Sequence, residues 1–171
     1  DASLSAIILT GATAQEIVRL AGSEELLREM VAEARTPREF LMAYPLMTNP
    51  DDEGVSLTAD NKNGRYAIAG RAEYVVLGPM AKYALLPAAI AGSPGYAFFL
   101  VDLEQPGIKI DGPILSMGLH ACPAADLVLD RTEGRLIGRP DEGPSYFQRA
   151  MTRMLPAAAA VSCGLIQGSL K

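Results

Sequence analysis

The chain has 171 residues, of which 49% are hydrophobic and 20% are charged, and its formal net charge is −5 at pH 7. This balance is typical of a globular protein and excludes a disordered chain. Because an acidic chain has no electrostatic attraction for a polyanion, the charge also argues against a nucleic-acid partner.

Cysteine usage and hydropathy predict a cytoplasmic protein without membrane insertion. Cys122 and Cys163 lie far apart and lack the spacing of a secreted disulfide scaffold, so we expect reduced thiols. The first residues lack the basic start of a signal peptide. No uninterrupted apolar run is long enough to cross a bilayer. Since the sequence does not begin with Met, we expect it to be a piece of a longer protein.

The amino-terminal fifth of the chain is predicted to be helical. Thr13 with Glu16 has the pattern of a capping box, which marks the start of a helix. Ser23, followed by two glutamates, is expected to open a second helix. Thr36 followed by Pro37 repeats the capping pattern, with proline at the first helical position. Each helix carries one apolar stripe and therefore needs a surface to pack on.

From about Ala43 the pattern changes to short strands. Asn63-Gly64 is expected to form the turn of a hairpin, because glycine adopts the positive φ that such a turn requires. Two of the strands are near-continuous apolar runs, as in strands buried on both faces. Strands at this spacing predict a closed or sandwiched antiparallel sheet. The predicted strands are 56–60, 65–69, 74–77, 83–90, 96–103, 108–110 and 125–129.

After Gly143 the apolar spacing becomes helical again. Pro156 is expected to bend or restart this helix. Residues 157–170 are rich in Ala, Gly and Ser, which lets helices approach closely in a bundle. Both ends of the chain therefore have the composition expected of pieces cut from a larger α–β–α protein.

The residues alone show no catalytic constellation. With a single histidine, His120, the chain cannot assemble a Ser-His-Asp or Cys-His system with a choice of partners. His120 and Cys122 have no further ligand nearby, so a loop histidine beside a small buried thiol is preferred over a metal site. Residues 51–53 carry three carboxylates, and a polar turn after Pro50 is preferred over a metal site or general acid. We therefore predict no metal.

An ordered set of motifs carries more information than any one of them. In order and spacing the set resembles the middle β-domain of the acyl-CoA dehydrogenases, and the likeness runs from about Ala43 to Lys171. The motifs are 46–50 (LMTNP), the turn at Asn63-Gly64, 70–76 (GRAEYVV), 98–102 (FFLVD) with Pro106-Gly107, 116–120 (SMGLH) and 125–130 (ADLVLD).

The resemblance implies an α+β fold with an antiparallel β-barrel-like middle domain flanked by helices. Residues 1–42 would end an N-terminal helical domain and residues 43–140 would form the barrel. Residues 141–171 would start a truncated C-terminal helical bundle. In this family FAD lies where barrel and bundle meet, and the flavin takes a hydride from an acyl-CoA after a carboxylate removes its α-proton.

What the resemblance implies for function is a fragment of an FAD-dependent acyl-CoA dehydrogenase of fatty acid metabolism, which makes a 2,3-enoyl-CoA. Its partners would be the acyl-CoA substrate and an electron-transfer flavoprotein or similar acceptor, and we expect a homo-oligomer. The family supplies the catalytic carboxylate from the bundle, so we expect it beyond Lys171 and assign no catalytic residue here.

Four residues are candidates for FAD contacts on this resemblance: Met47, Thr48, Tyr74 and Val76. Met47 and Thr48 match the family pair that meets the pyrimidine edge of the flavin, while Asn49 replaces the following glutamate. A locally bonded hydroxyl is the alternative for Thr48. Tyr74 stands where the family places a tryptophan that packs on the flavin.

Several ligand-facing positions depart from the family pattern. Val76 replaces a threonine and cannot donate a hydrogen bond. The loop at 53–55 has no counterpart of the family's serine, and 117–120 ends in His120 instead of arginine. The Asp-x-x-Arg motif of the next helix has no clear counterpart near 151–155. These departures leave open a degenerate non-catalytic member serving as a structural subunit of a hetero-oligomer. A generic acyl- or small-ligand-binding β-domain is a further alternative, favoured only if the chain is complete as given.

Overall fold

The computed structural model describes residues 2–116 and 118–170. Met117, the first residue of the motif at 117–120, lies outside the described residues. The elements are α1 (Ala2–Leu20), α2 (Glu24–Glu33), α3 (Pro37–Phe40), β1 (Met42–Ala43), β2 (Leu57–Lys62), β3 (Arg65–Val76), β4 (Tyr83–Ile90), β5 (Tyr96–Asp102), β6 (Ile108–Ile110), β7 (Ala124–Ile137) and α4 (Gly143–Ser169).

Five strands close into a barrel, which confirms the predicted α+β fold with a barrel-like middle domain. The order is β4, β2, β3, β7 and β5, and β5 then pairs with β4 to complete the ring. The pairs are antiparallel except β2–β4, which run parallel. β1 lies parallel to β4, and β6 pairs with β7. Closure leaves the five strands without a free edge, which removes sites for unwanted pairing.

The predicted hairpin turn at Asn63-Gly64 is confirmed. Both residues have positive φ, 56° and 87°, as the favoured two-residue hairpin turns require. The prediction of a separate strand at 74–77 is wrong, because β3 continues from the hairpin to Val76. Its pairing with β7 shifts register between Ile68 and Gly70 and again between Ala72 and Val75. Such irregularities let one long strand bend around a barrel.

The capping box predicted at Thr13 and Glu16 is wrong, whereas the other two helix starts are confirmed. α1 runs without interruption through both residues, and Thr13 is buried inside it. Glu16 instead pairs with Arg19 on its own helix and with Arg153 on α4. Helix α2 follows Ser23, and α3 follows Thr36 with proline at its start. The apolar side of α1 is buried against the barrel, and this packing overrides the local cap signal.

The core has two parts, separated by the alternation of side chains along β5. Ala97, Phe99 and Val101 belong to the cluster that fills the barrel. The alternate residues Tyr96, Phe98 and Leu100 belong to a second cluster between the barrel and helices α1, α2 and α4. β5 is therefore buried on both faces, as its apolar run predicted.

Helix α4 passes through Pro156 without restarting, so the predicted restart is wrong. Its buried residues lie in the first half, at Gly143, Tyr146, Phe147 and Ala150. Proline removes one backbone hydrogen bond, but here it lies on an exposed stretch followed by strongly helix-forming alanines. None of the described helices is both long and apolar enough to cross a bilayer.

Gly70 is required where β3 meets the start of β2, and its replacement by alanine should destabilise the fold. Its φ is 127°, and a Cβ would lie 2.5 Å from the Ser56 carbonyl oxygen. We expect Gly70→Ala to lower the free energy of unfolding by about 3 kcal/mol. Gly64→Ala, at a positive φ but in open space, should lower it by about 1 kcal/mol. Urea denaturation measures both, and equal losses would contradict the steric argument.

Asp126 anchors β7 to the end of β3 and should make stability depend on pH. Its carboxylate accepts hydrogen bonds from the Tyr74 amide, at 2.9 Å, and from the Arg71 guanidinium. These two donors hold the pKa of Asp126 below its ordinary value. A lowered native pKa stabilises the fold above the unfolded pKa of about 3.9, and this contribution is lost as pH falls further.

We therefore expect Asp126→Asn to be less stable than the wild type at pH 7 and to lose less stability between pH 6 and about pH 3. Urea denaturation at several pH values measures the difference. Asp60→Asn is the matched control, because Asp60 is exposed and its side chain has no partner within the described residues. An acid loss in Asp126→Asn as large as that of the wild type would refute the assignment.

Candidate functional site

The segment that follows β1 is a compact loop that begins at a fixed point on the barrel. Tyr44 and Val76 exchange two backbone hydrogen bonds of 3.1 Å just before the loop. Within the loop the Thr48 amide donates to the Pro45 carbonyl at 3.1 Å, and the Glu53 amide donates to the Asn49 carbonyl at 2.9 Å. We call residues 45–53 the cleft loop.

Asn49 organises the cleft loop. Its side-chain oxygen accepts the Asp51 amide at 3.1 Å, which is an Asx turn, and its side-chain nitrogen donates to Asp52. The carboxylates of 51–53 therefore do follow a polar turn, as the sequence predicted. The family's glutamate at position 49 is replaced here by a residue whose observed role is local.

The cleft loop faces the first half of α4 across a cleft of about 540 Å³. Met47 and Thr48, two of the four predicted flavin contacts, line it together. The side of α4 contributes residues at helical spacing, so they share one face. The full lining is Leu46, Met47, Thr48, Asn49, Asp51, Asp52, Phe147, Gln148, Met151 and Thr152.

Three donors of the cleft loop are available to a ligand. Within the described residues, the Met47 amide, the Thr48 hydroxyl and the Asn49 amide have no hydrogen-bond partner. The amides of 48 and of 51–53 are paired within the loop. The local bond considered as the alternative for Thr48 is thus not observed. Met47 is 54% exposed and Thr48 is half-buried.

Tyr74 and Val76, the other two predicted contacts, do not line the cleft. Val76 is 1% exposed, and its side chain belongs to the barrel cluster. Tyr74 is half-buried against the same cluster, and its amide is held by Asp126. The structure therefore gives Val76 a packing position behind the cleft loop, and its role as a flavin contact stays a prediction.

Asp51, which the sequence assigned only to a polar turn, also makes hydrogen bonds to both sides of the cleft. Its carboxylate accepts a hydrogen bond from the Tyr96 hydroxyl at 2.8 Å and another from the Gln148 side-chain nitrogen at 3.1 Å. Burial, together with the bond to Asp51, raises the pKa of Tyr96, and burial also raises that of Tyr44. No local pattern connects positions so far apart in the chain. Phe147 and Met151, by contrast, belong to the apolar stripe that the sequence does show.

The cleft is electrostatically one-sided. Its lining carries two carboxylates, Asp51 and Asp52, and no Lys or Arg. His120 and Cys122 do not line this cleft. His120 is exposed, and burial raises the pKa of the Cys122 thiol. Among the described residues no group of three His, Cys, Asp or Glu side chains could hold a metal ion. The available chemistry at the cleft is therefore hydrogen bonding and apolar contact.

A larger groove of about 870 Å³ lies between α2 and the barrel. It is lined from α2 by Leu26 and Met30 and from the barrel by Tyr66, Tyr83 and Leu100, among others. This groove and the cleft that Met47 and Thr48 line have no lining residue in common.

Curated relatives match most of this chain but less than half of their own length. Cyclohexane-1-carbonyl-CoA dehydrogenase of Geobacter metallireducens is 29% identical over 157 residues, which is 86% of this chain and 41% of the relative. The CarC subunit of the caffeyl-CoA reductase–Etf complex of Acetobacterium woodii is 28% identical over 162 residues, or 88% and 42%. No protein-family model matches the chain.

Solved structures share the fold. A glutaryl-coenzyme A dehydrogenase in complex with glutaryl-CoA superposes with a TM-score of 0.79 at 24% identity, covering 98% of this chain and 45% of that one. Butyryl-CoA dehydrogenase from Megasphaera elsdenii gives 0.78 at 20% identity with the same coverage. Together with the sequence relatives, this shared fold confirms the resemblance of the chain to the acyl-CoA dehydrogenases.

Proposed function

We propose that this chain is part of an FAD-dependent oxidoreductase that converts an acyl-CoA thioester to its 2,3-enoyl-CoA. The observation that carries the proposal is the cleft between the cleft loop and α4, where the two matched family positions, Met47 and Thr48, present unpaired donors. Relatives named as a dehydrogenase and a reductase of CoA thioesters support the reaction class. The division into residues 1–42, 43–140 and 141–171 is part of the same proposal.

The residues around the cleft fit one part of FAD. The cleft volume of about 540 Å³ is in the range typical of ligand pockets. Met47 would donate its amide hydrogen, and Thr48 its hydroxyl hydrogen, to the pyrimidine edge, where negative charge develops on reduction. Phe147 and Met151 provide apolar surface on the facing helix. When bound, FAD would supply the hydride acceptor.

The remaining contacts of the dinucleotide are outside this cleft. Its lining offers no cation for the pyrophosphate. Tyr74 and Val76 are on β3 and do not line the cleft. They would contact only a part of the flavin that extends outside the cleft. We assign no catalytic residue to this chain.

The partners we propose follow the same reaction class. CarC is a subunit of a complex that contains Etf. We propose an electron-transfer flavoprotein or similar acceptor for this protein too, an acyl-CoA as substrate, and assembly as a homo-oligomer in the cytoplasm.

A non-catalytic role as a structural subunit of a hetero-oligomer is the second candidate, and two observations favour it. The cleft carries two carboxylates without a cation, and the side chain of Val76 is buried away from it. Both weaken flavin binding relative to a site with a hydroxyl and a cation at these positions.

The visible spectrum of the purified full-length protein, of which this chain is proposed to be a part, distinguishes the two candidates. We expect a yellow protein with flavin absorption that bleaches when an acyl-CoA is added without an electron acceptor, because the flavin is reduced by the substrate. Protein that is colourless, and that added FAD does not turn yellow, would refute the dehydrogenase and leave the structural subunit.

Thr48→Val tests the proposed flavin contact directly. Loss of the donor should weaken the binding of oxidised FAD by about ten-fold, which is the upper end of the range for one hydrogen bond between neutral groups. Thr48→Ser keeps the hydroxyl and should bind FAD as the wild type does. Titration of the FAD-free protein, followed by flavin fluorescence, measures both. Equal affinity of the valine and serine variants would show that the hydroxyl does not contact the flavin.

A further inference from the structure

We propose that Asp51 is a positioning residue that latches the cleft loop to both walls of the flavin cleft. This inference rests on the proposed function, since it concerns how Met47 and Thr48 are held toward FAD. It adds to that function a residue that does not touch the reacting atoms but fixes the distance between the loop and α4.

The two partners of Asp51 belong to different parts of the protein. Tyr96 is the first residue of β5, is 4% exposed, and packs edge-on against Phe98 with ring centroids 5.6 Å apart. Gln148 is on α4, directly after Phe147, which is buried in the cluster between barrel and helices. Burial holds the Tyr96 hydroxyl in place, whereas the exposed Gln148 side chain is positioned only by the backbone of α4. One carboxylate therefore connects the loop to the barrel and to the helix at the same time.

No other side chain of the loop makes such a connection. Among the described residues, the remaining side-chain hydrogen bonds of residues 46–53 stay within the loop, between Asn49 and its neighbours. Asp52 lines the same cleft but bonds only to Asn49. The loop is thus shaped by its own turns, and Asp51 adds side-chain hydrogen bonds to β5 and α4 to the apolar packing of Leu46 against both core clusters.

The latch matters for ligand binding because the donors of Met47 and Thr48 lie on the same short turn. Without the hydrogen bonds of Asp51, the loop can move away from α4 as a unit. The donors of Met47 and Thr48 then no longer point into the cleft together. Preorganised donors contribute more to binding than mobile ones, since ordering them no longer opposes association.

FAD affinity of latch variants tests the proposal. Asp51→Ala and Tyr96→Phe should each weaken FAD binding by about ten-fold, because each removes a hydrogen bond to a charged group. The double variant should be no weaker than Asp51→Ala, since both changes remove the same connection. Asp51→Asn should recover most of the affinity, because an amide can accept from Tyr96 and donate to a turned Gln148. Asp60→Ala, on an exposed strand position, is the control for lost charge.

Amide hydrogen exchange in the FAD-free protein tests the latch without a ligand. Asp51→Ala should speed exchange at residues 46–53 while the barrel strands and the urea midpoint remain near wild type. Unchanged exchange in the loop would overturn the latch. Faster exchange with unchanged FAD affinity would overturn its role in positioning. A wild-type protein that binds no FAD would overturn both this role and the proposed function, whereas flavin bound equally by all variants would overturn the inference alone.

Discussion

The structure depends on closing five strands around an interior in which alanines are mixed with larger apolar side chains. A narrow barrel has room for few large residues, so its strands alternate small and large ones toward the axis. At Gly134 a Cβ would come within 2.3 Å of Ile68 Cδ1, so the end of the Ile68 side chain occupies space that the glycine leaves open. The alanines in this cluster are Ala6 on α1 and, outside the helices, Ala43, Ala59, Ala72, Ala81, Ala84, Ala88, Ala97 and Ala124.

Closure also fixes what lies outside the barrel. Because β5 is packed on both faces, the same strand that fills the interior presents a surface on which α1 and α4 dock. Arg153 and Glu16 pair across these two helices, where Glu16 is largely buried and Arg153 more exposed. The cleft is then bounded by a loop that starts on the barrel and by a helix seated on the barrel, so its shape follows from the packing of both.

The sequence predicted features that depend on neighbours in the chain and missed those that depend on distant ones. The Asn63-Gly64 turn is local, because it depends on the positive φ of these two residues. The helix start at Thr36-Pro37 is also local, because proline has no amide hydrogen and is tolerated at the first helical position. Thr13 failed as a cap because its surroundings in the fold are apolar, so the helix continues through it. The motif likeness found Met47 and Thr48 at the cleft. The hydrogen bonds of Asp51 to both sides of the cleft could not be found, because its partners come from β5 and α4 and leave no periodic trace.

Val76 shows why scaffold and ligand contacts can change separately. At 1% exposure inside the barrel cluster, a valine buries two methyl groups, whereas a hydroxyl there would have to be paired or left unsatisfied at a penalty. The barrel therefore favours valine at a position where the family's threonine would donate to the flavin. In the proposed function that donor is absent, so the orientation of the flavin would rest on the donors of the cleft loop. The loop is held by the two hydrogen bonds of Asp51 and by the packing of Leu46 against both core clusters, so flavin binding would depend on these contacts.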